Sequence, residues 1–304
     1  FCRMSPWPCA LSIGFPMSQP AISFLGVGLM GAPMVARLLE AGFSLTLWNR
    51  TPAKAQAFSG RARLASSPAE AIAGADVVIT MLESGQVVDQ VLYQSGAIRQ
   101  LRQGALVIDM SSIEPGLARG HGAQVEALGG GYLDAPVSGG TRGAQAGTLS
   151  IMAGGSDETF VRAAAVFQPL GTVTHIGPVG SGQLAKLANQ AIVGITIGAV
   201  SEALLLAAKG GARPEKVREA LLGGFAGSKI LEQHGERMLQ RDFAPGAPAR
   251  IQLKDLRMIL DEARSEGLTL PLSQRVFEQY RALLASGNGE VDHSGLLLEL
   301  ERFN

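Results

Sequence analysis

The chain has 304 residues, with 26 Lys and Arg set against 26 Asp and Glu, so it carries no net field to draw in nucleic acid or a charged membrane. Apolar residues make up 46% and charged residues 17%, which excludes a disordered chain and leaves ample material for a buried core. The length suits about two domains.

The opening stretch, FCRMSPWPCALSIGFP, holds both cysteines and three prolines but no apolar run of the length a secretory signal needs. Residues 1–19 are read as an N-terminal extension, disordered or non-native, with Met17 as the expected start. Because Cys2 and Cys9 both lie there, no disulfide staples the body, and the cytoplasm is the default location. No window reaches roughly 18 uncharged apolar residues. The best candidate, 188–208, contains Gln190 and Glu202 and is predicted as a buried core helix rather than a membrane span.

From residue 21 short apolar strands alternate with helical segments. Strands are predicted at 21–26, 44–48, 76–82, 105–110, 131–136, 148–154 and 172–177, and helices at 30–41, 52–59, 117–128 and 157–168. The runs DVVITML and ALVIDM are continuously apolar, as parallel strands covered on both faces require. This pattern predicts an α/β fold, a doubly wound Rossmann-type parallel sheet, over 20–180. Beyond Gly180 the apolar spacing is helical: 183–210, 214–222, 228–240, 250–266, 271–286 and 292–302. An all-helical C-terminal domain is therefore expected over 181–304, with a ligand cleft between the two domains.

Gly26-Val27-Gly28-Leu29-Met30-Gly31 reads G-x-G-x-x-G between a predicted strand and a predicted helix. That context suits a dinucleotide pyrophosphate: a tight turn at the first glycine, close backbone approach at the second, close helix packing at the third. At the end of the second strand, where NAD-binding sheets place an acid, stand Asn49, Arg50 and Thr51. An acid repels a 2′-phosphate and a guanidinium pairs with one, so NADP is favoured and NAD stays open.

Ser138-Gly139-Gly140 follows a strand. Successive free N–H groups beside a hydroxyl can cradle a carboxylate, and an ordinary glycine-rich loop is the other reading. Lys186 interrupts an apolar helix, with Asn189 and Gln190 on its face. An ammonium there can deliver a proton to a carbonyl oxygen as hydride arrives, or can be a snorkelling side chain. Lys254-Asp255 either reaches the same cleft or forms a structural ion pair. The four histidines, 121, 175, 234 and 293, show no metal-ligand spacing, and no metal is implied.

These residues carry a resemblance. FLGVGLMGAPM, VIDMSSIEP, LDAPVSGG, GTLSIMAGG, GQLAKLANQAIV, LLGGFAGSKILEQHGERM, KDL and DHSGL, in this order over 21–300, resemble the β-hydroxyacid dehydrogenases, which include 3-hydroxyisobutyrate and 6-phosphogluconate dehydrogenases. LANQ, GGFAGS and DHS are most similar to the tartronate semialdehyde reductase branch. The resemblance implies that Gly26, Gly28, Leu29, Met30 and Gly31 hold the pyrophosphate, and that Met81, Leu82 and Ser112 line the cofactor. It implies that Ser138, Gly139 and Gly140 bind the substrate carboxylate, with Asn189 and Gln190 beside it. Lys186 is then the acid/base, and Lys254 sits near the nicotinamide. Three positions depart from the wider family: Gln190 for Asn, Glu83 for Pro and Gln252 for His. The implied reaction is NADP(H)-dependent reduction of 2-hydroxy-3-oxopropanoate to D-glycerate. Alternatives are a dehydrogenase of 3-hydroxyisobutyrate, another short 3-hydroxy acid or serine, or a binding module, which would lack Lys186. A homodimer or homotetramer through the helical domain is implied.

Overall fold

The computed structural model describes residues 19–304. Residues 1–18, with both cysteines and nearly all of the predicted extension, lie outside the described residues. The first half runs β1 (Ile22–Leu25), α1 (Gly31–Glu40), β2 (Leu45–Trp48), α2 (Pro52–Gln56), β3 (Arg63–Leu64), α3 (Pro68–Ile72), β4 (Val77–Thr80), α4 (Gly85–Val88), β5 (Leu106–Asp109), α5 (Pro115–Ala127), β6 (Gly131–Asp134), β7 (Val137–Ser138), α6 (Gly140–Ala146), β8 (Leu149–Gly154), α7 (Asp157–Phe167) and β9 (Gly171–Gly177). Helices α8 (Ser181–Lys209), α9 (Pro214–Leu222), α10 (Lys229–Gln240), α11 (Ala249–Ser265), α12 (Pro271–Ala285) and α13 (Leu296–Phe303) complete it.

The sheet order is β3-β2-β1-β4-β5-β6-β8-β7, with β9 on β8. From β3 to β6 every pairing is parallel. Alternate strand residues feed two cores. Phe24, Ile79, Ile108 and Leu133 pack on one face with α1 residues Met34 and Leu38. Leu25, Val78, Val107 and Tyr132 pack on the other with Ile72, Val88 and Val125. Burial on both faces explains the continuous apolar runs, because a strand with two dry faces has no position for a polar residue to point outward.

Three features depart from the sequence reading. β8 runs antiparallel to β6 and meets it at one pair, Asp134 with Gly154, because the chain leaves β6 through β7 and the short α6 and returns. The Gly140 segment, read as a loop, opens α6. Between β4 and β5 the chain forms α4, a π turn (Asp89–Gln94) and a 3₁₀ turn (Ala97–Gln100), none of them long enough to show a helical period.

Helix starts follow local chemistry. Ser67, Ser156 and Ser228 each accept an N–H three residues on, and Pro52, Pro115, Pro214 and Pro271 stand in first turns where no donor is lost. The 29-residue α8 packs against α9 to α13 and against β6, β7, β8 and β9. By length and composition it is apolar enough to cross a membrane, with mean hydropathy 2.0 over 18 residues. Within the fold it is the central helix of the second core, through Leu187, Ile197, Val200 and Leu204. Its predicted burial is partial, since Leu184, Ile192 and Leu206 stay exposed on its open side.

Candidate active site

The glycine loop joins β1 to α1, and its three glycines divide the work as the motif requires. At Gly26, with φ +110°, a Cβ would fall 2.2 Å from the Met81 carbonyl oxygen; at Gly31 it would fall 1.9 Å from the Gly26 carbonyl oxygen. A side chain at either position would force the backbone apart. Nothing lies within 4 Å of the Cβ position of Gly28, so backbone there is open to a ligand. These residues fit a pyrophosphate at the α1 N-terminus. Leu29 stands exposed at the lip, and Met30 is the residue before α1.

Asn49, at the end of β2, accepts the Val27 N–H at 2.9 Å and donates to the Thr51 carbonyl at 2.9 Å. The side chain predicted to help hold a ribose phosphate thus braces the glycine loop. Arg50 and Thr51 are exposed beside it. Across the loop, Met81 N–H donates to the Leu25 carbonyl, and Leu82 N–H donates to Ser111 Oγ at 2.9 Å. Ser111 is held by Asp109, whose Oδ1 accepts its N–H at 2.9 Å and the Thr80 hydroxyl at 2.8 Å. Burial pushes the Asp109 carboxyl up, against those hydrogen bonds.

Ser138 closes β7, and Gly139 and Gly140 have φ of +131° and +61°. Positive φ at both positions is a conformation that glycine adopts at little cost. β7 packs against α8, so this turn borders the helix that bears Lys186.

The start of α8 is fixed to the sheet. Asp134, at the tip of β6, accepts Gly180 N–H at 2.7 Å and Gln183 N–H at 2.8 Å. Burial pushes its carboxyl up to about 7, while those two donors pull it back. Gln183 accepts Ile113 N–H at 3.1 Å and donates to the Ser111 carbonyl at 2.8 Å. Asp134 and Gln183 were missed as site-forming residues. The only signal for them was Gly182, where a Cβ would meet the Asp134 and Met152 carbonyl oxygens at 2.4 Å.

One turn later Lys186 is 8% exposed. Its Nζ donates to Gln190 Oε1 at 3.0 Å, as does Asn189 Nδ2 at 2.8 Å. Gln190 Nε2 donates to Asp255 Oδ2 at 2.7 Å, and Gln252 Nε2 donates to the Gln190 carbonyl at 3.2 Å. Burial pushes the Lys186 ammonium down to about 8; Asp255 opposes this and Lys254 adds to it. Lys254, on α11, reaches the loops after β4 and β5: its Nζ donates to the Ser112 carbonyl at 3.0 Å and the Glu83 carbonyl at 3.4 Å, and lies 3.2 Å from Asp255 Oδ1. The ion-pair reading of Lys254-Asp255 is met in this geometry. Arg250 pairs with Glu83 of the same loop.

The histidines, without metal-ligand spacing in the sequence, include two that meet in space. His234, Asp292 and His293 converge, with ligand-type atoms within 4.8 Å of one another. His234 is on α10, and the other two are next to each other in chain, so neighbour spacing gave no signal. Asp292 is already held by Arg237 at 3.0 Å and by the N–H groups of Gly246, Ala247 and Ser294. The two Nε2 atoms lie 3.3 Å apart, and burial pushes His293 down to about 4. The two rings bond each other through Nε2, beside an Asp292 already held by Arg237 and three backbone N–H groups.

Two family models tile the chain: the NAD binding domain of 6-phosphogluconate dehydrogenase over residues 21–177, and the NAD-binding domain of NADP-dependent 3-hydroxyisobutyrate dehydrogenase over 180–300. The 2-hydroxy-3-oxopropionate reductase of Escherichia coli K12 is 42% identical over 92% of this chain and 97% of its own. The NAD-dependent L-serine dehydrogenase of Pseudomonas aeruginosa is 34% identical over 90% and 95%. The solved 3-hydroxyisobutyrate dehydrogenase of Mycobacterium tuberculosis with L-serine superposes with a TM-score of 0.84 at 34% identity, covering 93% of this chain and 99% of that one. With its glycine loop, sheet and helical domain all matched end to end, this chain belongs to the 3-hydroxyisobutyrate dehydrogenase family of β-hydroxyacid dehydrogenases and is an oxidoreductase that uses a nicotinamide dinucleotide.

Proposed function

We propose that the chain reduces 2-hydroxy-3-oxopropanoate (tartronate semialdehyde) to D-glycerate with NADPH, and that Lys186 is the general acid. The observation that carries this reading is a buried amine at the domain boundary, held on one side by Gln190 and pushed down to about 8 by burial. An amine so tuned is still mostly charged near neutral pH and gives up its proton readily. NADPH, when bound, supplies the hydride. Lys186 has two further N–H groups for the carbonyl oxygen, where negative charge develops, and passes one proton to it. The N–H groups of Gly139 and Gly140 and the Ser138 hydroxyl fix the carboxylate, which holds the aldehyde carbon in line. Asn189 and Gln190 set the polar wall beside it. Arg50 and Thr51 would face a 2′-phosphate, with no acid nearby on β2 to repel it, which favours NADP over NAD. The apolar open side of α8, with Leu184, Ile192 and Leu206, supports a homodimer or homotetramer. Cytoplasmic location is part of the same reading and rests on both cysteines falling in the first ten residues.

The substrate rests on the likeness to the Escherichia coli reductase and on LANQ in α8. A second reading, oxidation of L-serine or 3-hydroxyisobutyrate, is supported by the likeness to the Pseudomonas aeruginosa and Mycobacterium tuberculosis enzymes. The test is a panel run in both directions: NADPH consumption with tartronate, methylmalonate and succinate semialdehydes, and NAD(P) reduction with L-serine, 3-hydroxyisobutyrate and D-glycerate. Tartronate semialdehyde should give the highest kcat/KM by at least about tenfold, a margin worth about 1.4 kcal/mol. A higher value for serine or 3-hydroxyisobutyrate would replace the first reading with the second.

A further inference from the structure

We propose that Asp255 is a positioning residue for Lys186 and acts through the side-chain amide of Gln190. The inference rests on the reading of Lys186 as the acid.

A primary amide has a donor end and an acceptor end, and half a turn exchanges them. Asp255 is the charged partner of the Nε2 end of Gln190, with Gln252 Oε1 at 3.5 Å, and Lys186 and Asn189 both donate to its Oε1 end. The Asp255 carboxylate, 3% exposed, only accepts and takes Nε2–H at 2.7 Å. Oε1 must then face the ammonium, which only donates, at 3.0 Å. Turned over, the amide would aim N–H at an ammonium and oxygen at a carboxylate, losing two charge-assisted bonds. Asp255 thereby holds one of the three ammonium N–H groups on Gln190 and leaves two for substrate. The helices that carry the chain are held close: a Cβ at Gly194 would fall 2.7 Å from Gln252 Nε2. The other charged or titratable groups facing this pair are Lys254, 3.2 Å from Asp255 Oδ1, and His293, which interacts with Asp255 from the turn before α13. Through Lys254 the carboxylate is also tied to the Ser112 and Glu83 carbonyls of the cofactor-lining loops.

The experiment uses the full chain with NADPH and compares wild type with Asp255→Asn, which keeps the shape but removes the charge that holds Nε2. Two quantities are read: the pH profile of kcat for aldehyde reduction, and the pH dependence of Lys186 acetylation by acetic anhydride, followed by peptide mass spectrometry. In Asp255→Asn, kcat should fall about tenfold, and both the alkaline limb and the acetylation midpoint should move toward acid by about one pH unit. A purely structural residue would lower stability and leave the midpoint in place. In a Gln190→Leu background, Asp255→Asn should cost less than about threefold in kcat, because the link is already cut. An unchanged Lys186 midpoint in Asp255→Asn, or additive losses in the double variant, overturns the proposal. If Asp255→Asn does not fold, Gln190→Leu alone decides: kcat within about twofold of wild type overturns it. Lys186→Ala separates the two readings. Normal turnover there removes Lys186 as the acid, whereas the acetylation midpoint reports on Asp255 without reference to turnover.

Discussion

Lys254 Nζ lies 3.0 Å from the carbonyl oxygen of Ser112, so a cation on the helical domain is seated on the loop that borders the glycine motif. The same amine also donates to the Glu83 carbonyl, so it ties α11 to the loops after β4 and β5 together.

Removing that cation with Lys254→Met should loosen the 81–83 and 111–113 loops together. Charged hydrogen bonds of this kind contribute about 1.5–3 kcal/mol, so KM for the nicotinamide cofactor should rise about tenfold or more, with a smaller change in kcat. Steady-state kinetics with varied cofactor at saturating substrate checks this. An unchanged cofactor KM would reduce the contact to packing.

Gly28→Ala and Gly31→Ala should fail in different ways. At Gly31 the new methyl would overlap the Gly26 carbonyl, and overpacking of this kind costs about 1–3 kcal/mol; its Tm should drop by several degrees. At Gly28 there is open space, so Tm should hold while cofactor affinity falls by about tenfold or more, because the methyl occupies the pyrophosphate approach. Thermal melts and fluorescence titration with NADPH distinguish the two.

Arg50→Asp should invert cofactor preference. The carboxylate would repel a 2′-phosphate and bond a free ribose hydroxyl, so the ratio of NADPH to NADH kcat/KM should fall by about a hundredfold, or about 2.7 kcal/mol. Parallel kinetics with both cofactors tests it. An unmoved ratio would mean that Arg50 is a solvated surface residue.

Lys186 should cost the protein stability at neutral pH. Burial pushes its ammonium down to about 8, so above that pH the native state holds fewer protons than the unfolded chain, whose lysine titrates near 10.4. Stability from this group therefore rises as pH climbs from 8 to 10.4, and the charge is a full penalty below 8. Lys186→Met should be more stable than wild type at pH 7, by at most about 3 kcal/mol, and the gain should fade toward pH 10. Urea unfolding at both pH values measures this.

His293 acts with the same sign in an acid window. Burial holds it down to about 4, so between pH 6.5 and 4 the unfolded chain binds a proton that the native state refuses. Stability should fall on acidification through that range. His293→Gln should flatten the fall by up to about 3 kcal/mol, read as denaturation midpoints at pH 7 and pH 4.5.

Much of this was legible in the sequence. Strands such as 77–80 and 106–109 announced themselves because both faces are dry. The glycine loop was legible because steric demand leaves no alternative residue at Gly26 and Gly31. Lys186 stood out as a cation in an apolar helix. Asn189 and Gln190 followed from helical spacing, but the long-range bonds did not: Gln190 meets Asp255 across 65 residues and Gln183 meets Ser111 across 72, and no local pattern encodes such a pairing. Asn49 was read as a ligand donor, and its brace on Val27 lay outside that reading because the partner is 22 residues away. The antiparallel β8 was hidden for a related reason: strand direction is decided by where the chain returns, not by the residues of LSIMAG.

The grip of Asp134 on the first amides of α8 makes that point a fulcrum. A tie so close to Lys186, which lies a single turn away, sets the depth at which that side chain meets the sheet. Side chains farther along the rod, exposed Leu206 among them, can change without altering that depth.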